Sequence, residues 1–132
     1  MPNVRLVIEY DGSGFHGWQI QPGLRTIQGE LERVLRMVLR EDIPVVHSSG
    51  RTDAGVHARE QVVNFVVSTP PDLDRLRVSV SSLLRGEVTV ISADMVPDDF
   101  HARRSSRCKQ YSYHMINRPC PPTIDKGRVW HV

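Results

Sequence analysis

Ile43-Pro44-Val45-Val46-His47-Ser48-Ser49-Gly50-Arg51-Thr52-Asp53-Ala54-Gly55-Val56-His57-Ala58, continuing after Arg59-Glu60 into Gln61-Val62-Val63-Asn64-Phe65-Val66-Val67, decides how the chain folds. Apolar runs stand on both sides of a glycine-bearing connection. Ile43 to His47 reads as a strand, and Pro44 places it at a sheet edge or a strand start. Gln61 to Val67 is rich in valine and reads as a second strand. Two strands therefore meet with no helix between them. Gly50 and Gly55 let the connection bend sharply and let another backbone or a ligand come close.

Helical patterns lie outward on both sides of this pair. Toward the N-terminus, Thr26 can cap a helix. Ile27, Leu31, Val34, Leu35, Val38 and Leu39 then form one apolar stripe, with Glu30, Glu32, Arg33 and Arg36 off it. Toward the C-terminus, Thr69-Pro70-Pro71-Asp72 stops the strand and opens a helix with Leu73, Leu76, Val80 and Leu83 on one face. Beyond the helices, Val4, Leu6, Ile8 and Tyr10 alternate with polar residues, and Val88 to Met95 follows the turn Arg85-Gly86-Glu87. The order β-α-β-β-α-β predicts an α+β, ferredoxin-like split unit. It has an antiparallel sheet with both helices on one face. An additional C-terminal strand is expected over Arg107 to Ile116, after the polar turn Pro97-Asp98-Asp99. Arg128 to Val132 reads as the start of another strand, which gives the expectation that residues 1–132 are one domain of a longer protein whose second domain is missing here.

The length fits one domain. The net charge of +2 is small, but arginines cluster. Arg33, Arg36 and Arg40 read as a solvated helix surface. Arg103, Arg104, Arg107 and Lys109 form a second group, and clustered arginine can hold phosphate bidentately. No apolar run is long enough for a membrane span. Met1-Pro2-Asn3 leads straight into a strand, and Cys108 and Cys120 are the only cysteines. The expectation is a cytoplasmic protein with reduced thiols. Cys108, His114 and Cys120 supply at most three zinc ligands without a short C-x₂-C pair, so no metal site is expected. No phosphate-loop glycine motif is present.

Arg51 and Asp53 are two apart, so in an extended segment they point to the same side. An arginine fork beside a carboxylate keeps it charged and aimed. The same residues also suit an ordinary loop tied by an Arg–Asp pair. In Phe15-His16-Gly17-Trp18, two aromatics stand beside glycine. They read as a loop packed on the core by its rings, and alternatively as a platform for a nucleotide base.

Gly50-Arg51-Thr52-Asp53-Ala54-Gly55-Val56-His57-Ala58 resembles the signature loop of the tRNA pseudouridine synthase A family. Glu9-Tyr10-Asp11-Gly12, Gly17-Trp18-Gln19, Gln61-Val62-Val63, Pro97-Asp98-Asp99-Phe100-His101-Ala102-Arg103 and Tyr111-Ser112-Tyr113 agree in order, from about Val4 to about Asn117. The resemblance implies conversion of uridine to pseudouridine in the anticodon stem-loop of tRNA, by a homodimer without a cofactor. It makes Asp53 the catalytic carboxylate and Tyr111 the residue packed against the target uracil. Arg51 becomes the candidate to pair with Asp53 and to fill the space of the flipped base. Tyr113 reads as a strand aromatic and His57 as a satisfied loop histidine. Glu60 departs from a small residue in the family pattern, and Ser81 and Arg85 from Asn and Pro. The family's second domain supplies cover for the cleft, so this chain alone is expected to be inactive. A non-catalytic domain that holds an RNA stem-loop, or a structural module pairing through its sheet, are the alternative readings.

Overall fold

The computed structural model describes residues 1–43, 45–104, 115–116 and 130–131. Strand β1 (Asn3–Tyr10) is followed by helix α1 (Ile27–Leu39), strands β2 (His47–Ser48) and β3 (Ala58–Val66), helix α2 (Leu73–Leu83) and strand β4 (Val88–Val96). The four strands form one sheet in the order β2-β3-β1-β4, and every pair is antiparallel. This is the ferredoxin-like arrangement that the element order predicts. Val4, Leu6, Ile8 and Tyr10 of β1 are buried in one cluster with Leu31, Val34 and Leu35 of α1 and Leu76 and Val80 of α2. Both helices therefore cover the same face of the sheet, as alternation along β1 requires.

The helices begin as their sequences direct. Thr26 Oγ1 accepts from the Gly29 amide at 3.2 Å, and the Asp72 side chain accepts from the Arg75 amide at 3.1 Å. Each cap is worth about 1 kcal/mol. Arg40 closes α1 in the left-handed conformation, at φ 55°. On α1, Arg33 pairs with Glu30 at 2.6 Å and Arg36 with Glu32 at 3.3 Å, so these arginines serve the helix surface.

Four details differ from the sequence reading. Strand β2 occupies only His47–Ser48; Ile43 and Val46 are buried by packing, without belonging to a strand. Glu32, which lies off the apolar stripe, is nevertheless buried, and its Oε2 accepts from the Val46 amide at 3.3 Å. That carboxylate gives the irregular chain before β2 an acceptor that no ladder provides. Leu83 is exposed and Leu84 takes its place below the helix, in step with Leu76 and Val80. Strand β3 begins at Ala58, because pairing with Tyr10 carries the ladder through the polar residues Arg59 and Glu60. Glu60 falls where the β1–β3 register shifts, so it accompanies a bulge. Ser81 Oγ accepts from the Val90 amide at 2.9 Å, beside a register shift between β1 and β4.

Residues 97–104 turn back over the other face of the sheet. The buried Asn3 donates through Nδ2 to the carbonyls of Pro97 and Phe100. Its Oδ1 accepts from the buried Asn64, whose own Oδ1 accepts from the Ala102 amide at 2.8 Å. Arg5 pairs with Asp94 at 2.7 Å and lies over the Phe100 ring. Met115–Ile116 (β5) and Trp130–His131 (β6) form a separate parallel pair, so the end of the expected strand over Arg107 to Ile116 is extended. The rest of that strand, with Lys109, Tyr111 and Tyr113, lies outside the described residues, as do Cys108, His114 and Cys120. No helix among the described residues is long and apolar enough to cross a membrane.

Candidate active site

The connection between β2 and β3 is held from both ends and from below. At its start, the Ser49 amide donates to the Val62 carbonyl at 2.8 Å, and Ser48 Oγ donates to the Gly50 carbonyl at 2.8 Å. Gln61 Nε2 donates to that same carbonyl. In the middle, Thr52 faces inward. Its Oγ1 lies 2.7 Å from the hydroxyl of buried Tyr10, and its carbonyl accepts from the Trp18 amide at 3.0 Å. At the far end, His57 Nδ1 accepts from the Gly12 amide at 2.9 Å and lies 3.2 Å from Asp11 Oδ1. His57 is thus a satisfied loop histidine, as its sequence position suggests.

Two glycines make this contact close. A Cβ on Gly12 would sit 2.0 Å from the Val56 carbonyl oxygen. One on Gly17, at φ 84°, would sit 2.9 Å from the Thr52 oxygen. Backbone packs on backbone here, and only glycine allows it. The segment carrying these glycines is itself fastened. Phe15 and Trp18 are buried, which bears out the core-packing reading of both rings. Arg25 lies 4.5 Å from the Phe15 ring centroid and pairs with Glu87 at 2.8 Å. That pairing holds the Glu87 carboxyl below its usual range, chiefly through the hydrogen bond from Arg25.

Thr52 points in, so its neighbours Arg51 and Asp53 are exposed. Both border a cleft of about 270 Å³, walled also by His16, Gly17, Trp18 and Gln19. Asp53 begins a turn closed by the Val56 amide at 3.2 Å from its carbonyl, with Gly55 at φ 79°, the positive value a type II turn needs at its third residue. The carboxylate therefore stands at the tip of a fixed loop and faces a recess. The structure brings Arg51 and Asp53 to one cleft but does not pair them. Arg51 Nη1 donates to Gln19 Oε1 at 3.2 Å, and no ion pair joins Arg51 to Asp53 among the described residues. The expected Arg51–Asp53 pairing is corrected accordingly: a neutral amide across the cleft takes the guanidinium, and Asp53 lines the same cleft as an exposed residue. Tyr111 lies outside the described residues.

Thr52, Tyr10, Gly12 and Gln19 are the anchors that spacing alone did not single out. One signal for Thr52 was present: a residue between two that face the same way must face the opposite way. Its partner could not be read, because Tyr10 lies forty-two positions earlier.

A family model described as tRNA pseudouridine synthase matches residues 6–103. The chain is 51% identical over 120 residues to tRNA pseudouridine synthase A of Chlorobium phaeovibrioides, covering 90% of this chain and 49% of that protein. It is 44% identical over 133 residues to the protein of that name from Methylobacterium nodulans, covering all of this chain and 52% of the relative. For tRNA pseudouridine synthase A 2 of Clostridium perfringens the identity is 38% over 132 residues, covering all of this chain and 54% of the relative. The chain spans about half the length of the curated relatives it matches.

Proposed function

The chain belongs to the tRNA pseudouridine synthase family, and from that premise we propose that it is the carboxylate-bearing half of an enzyme that isomerises uridine to pseudouridine in tRNA. The observation that carries this reading is Asp53 at the tip of a loop fastened at Gly50, Thr52 and His57, facing a recess.

The reaction breaks the bond from C1′ to N1, turns the uracil, and joins C1′ to C5; the proton on C5 then leaves. A carboxylate beside the ribose or the ring acts as nucleophile, or offsets positive charge at C1′. The uridine must first leave its stack, which costs a few kcal/mol. In this reading Arg51, whose Nη1 donates to Gln19, fills the gap in the stack, and the resemblance gives Tyr111 the role of packing on the uracil. The C5 proton needs a base. The recess of about 270 Å³ lies at the lower end of ligand sites, roughly 300–1,000 Å³. It suits one nucleotide covered on one side. An exposed carboxylate acts in high dielectric, so catalysis calls for a second wall. We assign that wall to the remaining half of a protein twice this length, acting as a cytoplasmic homodimer on the anticodon stem-loop.

The test is tritium release from tRNA labelled at uridine C5. The full-length protein should release label, and Asp53→Asn should lower the rate about 10³-fold or more with an unchanged unfolding midpoint. Activity within tenfold of wild type removes Asp53 from the reaction. The 132-residue chain alone, mixed near-stoichiometrically with labelled tRNA, should release none; one equivalent released would show that this half is already a complete site.

A further inference from the structure

Arg51 and Asp53 carry opposite charges and line one cleft, yet Arg51 is bonded to Gln19. Asp53 is the one acid among the residues lining that cleft, where His16 is the other titratable group besides Arg51. A guanidinium and a carboxylate attract at short range even in water, so something on the far side of Arg51 offsets that pull. On that side lies a neighbouring recess of about 520 Å³, which Arg51 and Gln19 border and Asp53 does not. Its other walls include His47 and His101, whose ring centroids are 4.3 Å apart, and Arg103 and Arg104. None of the described residues lining it is acidic. The arginines there repel a third guanidinium, so charge alone would send Arg51 to Asp53. The contact that opposes this is neutral: Gln19 Oε1 accepts from Arg51 Nη1 at 3.2 Å.

The backbone on either side of Gln19 fixes where that acceptor stands. The Trp18 amide donates to the Thr52 carbonyl at 3.0 Å, which sets residue 19 beside residue 51. The Trp18 carbonyl accepts from the Gln28 amide at 2.9 Å, and the Ile20 amide donates to Gln28 Oε1 at 3.1 Å. Gln28 Nε2 in turn donates to the Val46 carbonyl at 3.2 Å. The Gln19 side chain is exposed and takes no part in these bonds.

We propose that Gln19 is a positioning residue: it parks the Arg51 guanidinium at the border of the cleft and so keeps the recess at Asp53 open for the incoming nucleotide. The proposal rests on the uridine-isomerising reading above. Without the Gln19 acceptor, Arg51 turns to Asp53, and the pair lies across the recess that both residues line. An exposed ion pair is weak, so this closed form competes with the open one without replacing it. Apparent affinity for the nucleotide then falls with the fraction that remains open. Once the nucleotide is seated the pair is broken, and the chemical step proceeds as in wild type. Gln19 therefore acts on entry and leaves the chemistry alone.

The experiment compares full-length wild type with Gln19→Met, which keeps the side-chain length and removes the acceptor, and with Gln19→Glu, which keeps the acceptor. In tritium release from tRNA labelled at uridine C5, Gln19→Met should raise KM about twofold to sixfold with kcat unchanged. The carboxyl-carbon resonance of Asp53, assigned by its loss in Asp53→Asn, reports the pairing in the absence of RNA. Asp53 should titrate at lower pH in Gln19→Met than in wild type, because a neighbouring guanidinium favours the charged carboxylate. In Gln19→Glu it should titrate no lower than in wild type, since Arg51 stays engaged and a second carboxylate borders the cleft. The side chain is exposed, so both variants should keep the wild-type unfolding midpoint. An Asp53 titration unmoved in Gln19→Met, or lowered in Gln19→Glu, overturns the proposal, and so does a fall in kcat at unchanged KM. If Gln19→Met fails to fold, the direction of the Gln19→Glu titration decides. Absence of tritium release by wild type overturns the synthase reading instead, and the Asp53 titration still shows whether Gln19 parks Arg51.

Discussion

The fold uses a strand-to-helix link twice, and the two links are unlike. Residues 11–26 join β1 to α1 and residues 67–72 join β3 to α2. The first buries Phe15 and Trp18, presses Gly12 and Gly17 on the loop of Asp53, and fastens itself through Arg25 to Glu87. The second is short, carries Pro70 and Pro71, and exposes Ser68, Thr69 and Pro70. The short link does what the topology asks, which is to pass the chain from strand to helix. The extra length of the first link is spent on holding another loop. Within a repeated architecture, the elaborated copy marks the working side.

If that contrast is right, the largest effect comes where the two loops touch. Gly12→Ala should destabilise the protein by about 3 kcal/mol, because the obstacle is backbone that cannot yield cheaply. Thr69→Ala on the plain link should stay within about 0.5 kcal/mol. Equal urea midpoints for the two variants would erase the distinction. Thr52→Val is the next test. It removes the 2.7 Å contact between the two hydroxyls and should cost about 1 kcal/mol. A double-mutant cycle with Tyr10→Phe should return a coupling above about 0.5 kcal/mol, and additivity would mean that the hydroxyl pair does not anchor the loop.

Asp72→Ala sharpens the contrast from the other side. It removes the cap of α2 and should cost about 1 kcal/mol of stability, while tRNA turnover by the full-length protein stays unchanged at temperatures well below the midpoint. Turnover falling in step with stability would make the second link part of the site. The smallest effect concerns Glu87. Its carboxyl is held low in the folded chain, so its contribution is present above the unfolded value near 4.5 and is lost as pH falls through the lower folded value. Glu87→Gln should lower stability at neutral pH slightly and flatten stability against pH below about 4.5. An acid limb identical to wild type would show that Arg25 staples the link through Phe15 and Glu30 without help from Glu87.

The helices, the order of the elements and the helix-covered face were legible because period-3.6 and period-2 patterns report burial directly. The short β2 was not, since Ile43 and Val46 are buried by packing, and burial has the same apolar signature with or without a ladder. The early start of β3 was hidden for the opposite reason: Arg59 and Glu60 are polar, and pairing with β1 set the strand length. At the site, the shared side of Arg51 and Asp53 followed from their spacing. The attachment of Arg51 to Gln19 did not, because a partner thirty-two residues away leaves no local trace. The Arg103–Arg104 cluster could be seen, whereas the meeting of His101 with His47 depended on the Asn64–Ala102 bond.

The central place of β1 has a consequence for biosynthesis. Strand β1 is made before both of its partners, and it is paired on one side with residues 58–66 and on the other with residues 88–96. Its first edge closes when β3 has left the ribosome, and the same closure brings Thr52 to Tyr10 and Gly12 to Val56. The second edge waits for residue 96, thirty residues later. At ordinary elongation rates that interval is roughly 1.5–6 s. The nascent chain thus assembles the Asp53 loop while one flank of its sheet is bare, and that flank is where a chaperone, or a neighbouring nascent copy, would find a strand to pair with.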